Sequence, residues 1–72
     1  MNEFPTRLRK AMFRAHMSKS ALCKKSGVND KSVRDYLAGR RTPRVDFAAK
    51  LAKALNVSLD YLTGLSDDMQ IK

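Results

Sequence analysis

Apolar residues at the start of the chain recur at helical spacing. Phe4, Leu8, Ala11, Met12 and Ala15 follow the i, i+4, i+7, i+8, i+11 pattern that places side chains on one face of a helix. Pro5 falls in the first turn, where its missing N–H leaves no hydrogen bond unmade. His16 then interrupts the stripe, at a position that favours the left-handed conformation. The pattern predicts a first helix that ends near residue 15.

Capping residues predict two short helices in the middle of the chain. Ser18 is a natural N-cap for a second helix, which ends at Ser26-Gly27. Asn29 is placed to cap a third helix, and Gly39 is placed to end it. Val33, Tyr36 and Leu37 are its expected buried residues.

A fourth and a fifth helix are predicted in the last third. The fourth carries the apolar stripe Val45, Ala48, Ala49, Ala52 and Leu55 and closes near Asn56. Ser58 caps a fifth helix that ends before Gly64. Alternation over residues 57–61 also fits a strand, but a lone strand would have no partner. The prediction is an all-α, compact five-helix bundle: residues 1–64 form the domain, and residues 65–72 form a frayed tail or the start of a linker.

Charge divides the chain into two unequal parts. The protein has 72 residues and a net charge of +8. Residues 1–44 hold twelve Lys and Arg against three acids, whereas residues 45–72 hold three lysines against four acids. A basic surface confined to the first two thirds indicates an anionic partner there and a neutral scaffold behind it.

Several classes of function are excluded by what the chain lacks. One cysteine and one histidine cannot close a zinc site or a disulfide framework, and no apolar run can span a bilayer. Three glycines build no phosphate-cradling loop, and no catalytic arrangement has the required spacing. We therefore expect a cytoplasmic protein that is not an enzyme and has no cofactor, metal, membrane partner or small-molecule substrate.

Residues 18–39 have the outline of two helices joined by a tight turn. Cys23 provides a small residue on the inner face of the first helix, Gly27 provides a residue that tolerates positive φ, and Val33 provides the apolar contact of the second helix. This outline is that of a helix-turn-helix.

Together with its flanks, the segment resembles the phage repressor and Cro type of helix-turn-helix, also called the xenobiotic-response-element family. The resemblance covers residues 6–64 and rests on Met17-Ser18, Leu22-Cys23, Gly27-Val28, Val33, Tyr36, Gly39-Arg40-Arg41, Pro43 and residues 51–62. The chain departs from the family pattern at His16, Lys19, Cys23 and Arg44. The resemblance implies a DNA-binding domain of a transcriptional repressor or regulator from a phage or bacterium.

The third helix is expected to enter the major groove of double-stranded DNA. With Val33 turned to the core, a rotation of 100° per residue turns Lys31 and Asp35 outward, with Ser32 and Arg34 on the flanks. The resemblance adds Asn29 and Asp30. The predicted base contacts are therefore Asn29, Asp30, Lys31, Ser32, Arg34 and Asp35. The alternative for Arg34 and Asp35 is an ordinary solvated ion pair.

Phosphate contacts are expected at both ends of the motif. The positive charge of Lys19 at the start of its helix is unfavourable, because it opposes the helix dipole. A bound phosphate would reverse this effect, because it would meet both the ammonium and the free N–H groups of the helix. The resemblance places the arginines after the third helix along the DNA backbone. The predicted phosphate contacts are Ser18, Lys19, Arg40, Arg41 and Arg44.

One such domain reads too few base pairs to find a site alone, which predicts a homodimer on a palindromic operator. Elimination of core positions leaves Tyr61, Leu65 and Phe47 as candidate dimer contacts. Two alternatives remain: a protein-interaction module of the same fold, such as an antitoxin or coactivator-like adaptor, and an RNA-binding domain, which would need exposed stacking aromatics.

Overall fold

Five helices make up the part of the chain that the computed structural model describes, residues 3–69. They are α1 (Phe4–Arg14), α2 (Lys19–Ser26), α3 (Asp30–Ala38), α4 (Val45–Leu55) and α5 (Leu59–Thr63). These residues contain no strand, which confirms the all-α prediction, and no helix among them is long and apolar enough to cross a membrane. The ends of the predicted domain and tail, residues 1–2 and 70–72, lie outside this range.

Side-chain caps begin three of the helices, as the sequence predicts. The Ser18 hydroxyl accepts from the Ala21 N–H at 3.2 Å, and the Asn29 carbonyl oxygen accepts from the Ser32 N–H at 2.8 Å. The Ser58 hydroxyl begins α5 in the same way. Each cap satisfies a backbone donor that the first turn of a helix leaves without an intrahelical partner.

Left-handed residues end the helices and turn the chain. Gly27 ends α2 at φ +76°, and Gly39 ends α3 at the same value. A side chain on Gly27 would meet no atom within 4 Å, so the turn requires glycine for its backbone conformation and not for space. His16 and Asn56 adopt the same region, with φ of 53° and 58°. His16 thereby confirms the left-handed position predicted at the end of α1.

The core gathers side chains from all five helices. The Phe4 and Tyr36 rings meet edge to face with centroids 6.1 Å apart, which joins α1 to α3. The largest side chains with almost no exposed surface are Leu8, Leu22, Leu51, Leu62 and Val33. Because each helix contributes at least one buried residue, the core fixes the position of α2 and α3 relative to the other three helices.

The buried face of α4 is rotated from the predicted stripe. Val45 is 74% exposed and Ala49 is exposed, whereas Leu51 and Ala54 are buried. Because α4 packs against both α2 and α5, its buried face is set by two neighbours. Periodicity alone gave the correct helix but the wrong edge of its apolar face.

Residues 65–69, for which the sequence suggests a frayed tail or the start of a linker, are hydrogen-bonded to the rest of the domain. The Ser58 N–H donates to the Met69 carbonyl at 2.8 Å, and the Ser58 hydroxyl donates to the Asp68 carbonyl at 2.9 Å. The Arg7 guanidinium donates to the Ser66 carbonyl at 2.8 Å. The described tail is therefore bonded to α1 and to the start of α5, since polar groups on both supply partners for its backbone.

Candidate nucleic-acid interface

The α2–α3 pair forms the predicted two-helix unit. Gly27, Val28 and Asn29 separate the two helices, and Val28 is buried in the turn, where its N–H donates to the Ser26 hydroxyl at 3.2 Å. Leu22 and Val33 are fully buried on the inner faces. This packing leaves the opposite face of α3 directed away from the protein.

Several predicted base-contacting residues lie on that outer face. Lys31 and Arg34 are exposed, and Ser32 is half-buried. Asn29 is exposed at the helix start, and its side-chain oxygen is used by the cap. Its amide N–H groups remain as donors. The first two turns of α3 thus present a row of hydrogen-bond donors.

Asp30 holds an ion-pair cluster at the start of α3. Its carboxylate lies 3.6 Å from the Lys19 ammonium of α2 and accepts a hydrogen bond from the Arg34 guanidinium one turn later. The Arg34 hydrogen bond holds the pKa of Asp30 below its ordinary value, and the charge of Lys19 lowers it further. Three predicted DNA contacts are therefore tied together in the free protein.

Arg34 and Asp35 do not form the solvated pair considered from the sequence. Adjacent residues on a helix point in different directions, whereas residues four apart are neighbours, so Arg34 pairs with Asp30. The Asp35 side chain is only 16% exposed, and Oδ1 lies 3.9 Å from Arg40 Nη1. The chain turns back at this point because the Arg40 N–H donates to the Asp35 carbonyl. Asp35 is thus less accessible to solvent than its predicted position on the outward face of α3 implies.

The loop after α3 presents arginines to solvent. Arg40, Arg41 and Arg44 are all exposed. Within residues 3–69, Arg40 has the distant contact with Asp35, and neither Arg41 nor Arg44 has an ion-pair or hydrogen-bond partner for its guanidinium. Arg44 also stands at the N-cap of α4 without a side-chain cap bond. The loop therefore carries cationic groups that the protein itself leaves unneutralised.

Sequence reasoning missed one residue that supports α3. The Arg9 guanidinium of α1 donates to the Leu37 carbonyl in the last turn of α3, at 2.7 Å. The bond satisfies a carbonyl that has no intrahelical partner, and it holds α3 against α1. The basic charge of Arg9 was visible in the sequence, but its contact with a backbone carbonyl 28 residues away was not.

The cysteine beside the interface, Cys23, is not an activated thiol. Cys23 is half-buried, and burial raises the pKa of its thiol, with the charge of Asp30 acting in the same direction. A thiol with a raised pKa is a poor nucleophile. Among residues 3–69, no three His, Cys, Asp or Glu side chains are grouped as a metal ion would require. The outer face of α3 and the loop after it present hydrogen-bond donors and positive charge.

The candidate dimer contacts are not equally accessible. Tyr61 is 5% exposed and lies under the Arg7 guanidinium, whose carbon is 4.8 Å from the ring centroid. Tyr61 belongs to the core, so little of its side chain is available for the dimer contact predicted from the sequence. Leu65 is 81% exposed, and Phe47 is half-buried.

A comparison with protein families matches this arrangement. The family model described as helix-turn-helix aligns with residues 7–62, well over half of the chain. A search of curated proteins found no match. The matched range runs from α1 to α5 and contains the whole α2–α3 unit. The chain belongs to the helix-turn-helix family of the phage repressor and Cro type, a family of DNA-binding transcription regulators.

Proposed function

We propose that this protein is a transcriptional repressor of phage or bacterial origin, which binds a palindromic operator as a homodimer and places α3 in the major groove. Occupation of the operator would exclude or recruit polymerase without a catalytic step, a cofactor or a small-molecule substrate. Its site of action would be the cytoplasm, where the operator lies. The observation that carries this proposal is the pairing of an outward donor row on α3 with unneutralised arginines in the next loop.

Lys31 is the residue with the strongest claim to a base contact. It is exposed in the first turn of α3, and no ion pair holds its ammonium among residues 3–69. Lysine donates to O6 and N7 of guanine in the major groove. Arg34 can donate to the same atoms, but it must first share or leave the Asp30 carboxylate. We therefore assign sequence choice mainly to Lys31 and Arg34, with Asn29, Asp30, Ser32 and Asp35 as proposed neighbours.

Phosphate contacts are proposed on both sides of α3. The Ser18 hydroxyl accepts its cap bond and keeps its own proton for donation. Lys19 stands at the start of α2, where free backbone N–H groups also favour an anion. Arg41 and Arg44 would follow the backbone beyond α3, with Arg40 beside them. Such contacts position a protein on DNA and carry no sequence information.

A second copy of the chain is proposed because one recognition helix reads only a few base pairs. The exposed Leu65 follows α5, and Phe47 is partly accessible on α4. A two-fold pair formed through this region would set its recognition helices about 34 Å apart, one turn of DNA. The DNA itself raises the effective concentration of the second copy, so a small apolar contact is sufficient.

The experiment begins with selection of bound oligonucleotides from a random pool and continues with gel-shift titration of the recovered palindrome. We expect cooperative binding, which is lost when five base pairs are inserted between the half-sites. The insertion rotates one half-site to the opposite side of the duplex. Equal affinity for a lone half-site and for the full palindrome would contradict the dimer.

A protein-interaction module of the same fold is the second candidate, and one observation favours it. Phe13 is 82% exposed on the solvent side of α1, and exposed aromatic residues are common anchors in protein interfaces. In that case the random pool would yield no enriched sequence. Enrichment of one palindrome would reject this candidate as the main function.

A further inference from the structure

A basic groove lies between α2 and α4, outside the candidate DNA interface. It has a volume of about 310 Å³ and is lined by Lys25, Ser26, Lys50, Lys53 and Ala54. We call these five residues the α2–α4 groove. Lys25 belongs to the basic first two thirds of the chain, whereas Lys50 and Lys53 belong to the nearly neutral last third. The packing of α2 on α4 brings them together.

No acid among residues 3–69 forms an ion pair with the lysines of this groove. All three lysines are exposed, and none has an ion pair within 4 Å among residues 3–69. Asp46 precedes Lys50 by one helical turn, but its carboxylate accepts from the Phe47 N–H. The Lys50 ammonium lies 5.4 Å from the Phe47 ring centroid. This contact holds the ammonium on α4 without cancelling its charge.

Helix dipoles explain the positions of two of the three lysines but not the position of the third. Lys25 and Lys53 stand in the last turns of α2 and α4, where a cation stabilises the negative helix end. Lys50 precedes that turn of α4, and dipole effects fall off within one turn. Three unpaired ammonium groups around one depression repel each other, and an anion bound there would relieve that repulsion.

The groove is also separated from the proposed DNA contacts. At 1.5 Å per residue, Lys25 lies about 9 Å along α2 from Lys19, and Lys53 lies about 13 Å along α4 from Arg44. The N-terminal ends of both helices carry proposed phosphate contacts, whereas their C-terminal halves form the groove. The groove therefore lies at the helix ends opposite to those that carry the proposed phosphate contacts.

We propose that the α2–α4 groove is a second anion site, which binds a compact compound that bears more than one phosphate group. Three ammonium groups match several negative charges, and the Ser26 hydroxyl can donate a hydrogen bond to a phosphate oxygen. The small volume favours a compact anion over an extended chain. This inference goes beyond the proposed operator binding and does not depend on it.

The test is an amide NMR titration of the isotope-labelled full chain with inorganic pyrophosphate. We expect saturable shifts at Ser26, Lys50 and Ala54. Lys53→Gln should weaken binding about two- to fivefold, the range for one solvent-exposed charge pair. The matched control is Lys10→Gln, which removes an exposed lysine of α1 outside the groove and should leave the affinity unchanged. Gln keeps the helix propensity of Lys, so both variants should fold.

Two further arms separate the possible sources of the anion. Pyrophosphate shifts should persist when the protein is saturated with its operator duplex. If a duplex with long flanks displaces pyrophosphate from the groove, the phosphate groups belong to the DNA backbone and the compact ligand is wrong. A hexaglutamate peptide that binds as tightly as pyrophosphate would likewise overturn the preference for phosphate. Shifts confined to Lys19, Lys31 and Arg41, or equal effects of the two substitutions, would overturn the groove itself.

Discussion

The loop of residues 40–44 and the tail of residues 65–69 are both non-helical, and they use arginine in opposite ways. The loop carries its own arginines, and Arg41 and Arg44 point to solvent without a partner among the described residues. The tail receives an arginine from α1: Arg7 donates to the Tyr61 and Ser66 carbonyls at 3.0 and 2.8 Å and to Asp67 at 2.7 Å.

The burial of the two kinds of arginine differs accordingly. The Arg7 side chain is 11% exposed, and the hydrogen bond with Asp67 raises the pKa of its guanidinium above the ordinary value. An arginine with this many internal acceptors is committed to the fold. An exposed arginine without an acceptor is available to an external anion such as a DNA phosphate. The number of internal partners, and not the residue type, separates structural cations from binding cations.

The largest effect that tests this comparison is on stability. Arg7→Ala removes the donors of two backbone carbonyls and the support of the Tyr61 ring, and buried polar groups without partners are costly. We expect the Tm to fall by about 10 °C, the scale on which a small domain responds to the loss of several interactions. Thermal unfolding followed by circular dichroism measures this change.

Arg41→Ala is the matched control, because it makes the same substitution at an exposed position. Its Tm should change by less than about 2 °C. If Arg7→Ala fails to fold, Arg7→Lys keeps the charge, loses the forked geometry and should still lower the Tm. Equal Tm values for the Arg7→Ala and Arg41→Ala variants would show that the internal bonds of Arg7 are not the source of its importance.

The next effect is on DNA binding, where substitution of Arg41 should matter more than substitution of Arg7. If about four phosphates are neutralised per subunit, a dimer gives a slope of log K against log salt near −7. Arg41→Ala should weaken operator and unrelated duplexes alike, by roughly tenfold, and make the slope shallower by about 2. Binding titrations over a range of salt concentrations measure both. A wild-type slope shallower than about −2 would contradict the electrostatic part of the proposal.

Local signals explain why most of the fold could be predicted from the sequence. Ser18, Asn29 and Ser58 act within three residues of themselves, and Gly27 and Gly39 act on their own backbone. Such signals need no knowledge of tertiary packing. For the same reason, the outward direction of Lys31 follows from its distance to Val33 along one helix.

Features that depend on contacts distant in sequence could not be predicted in this way. The Tyr61 ring is buried in the core, and the Arg7 guanidinium, 54 residues earlier, lies over it. Lys19 meets Asp30 because the turn brings two helix starts together. The α2–α4 groove joins lysines from parts of the chain with opposite charge balance. The distribution of charge along the sequence therefore indicates a binding surface only where the folded protein leaves those charges without internal partners.

The most direct test of the central claim, that the outer face of α3 reads the DNA sequence, is competition binding of Lys31→Ala against a panel of single-base operator variants. We expect a loss of about 1–3 kcal/mol on the preferred site and a relaxed preference at one base position in each half-site. Lys10→Ala, on the solvent side of α1, should leave the preference at every position intact. An unchanged base preference in the Lys31→Ala variant would contradict the proposed orientation of α3.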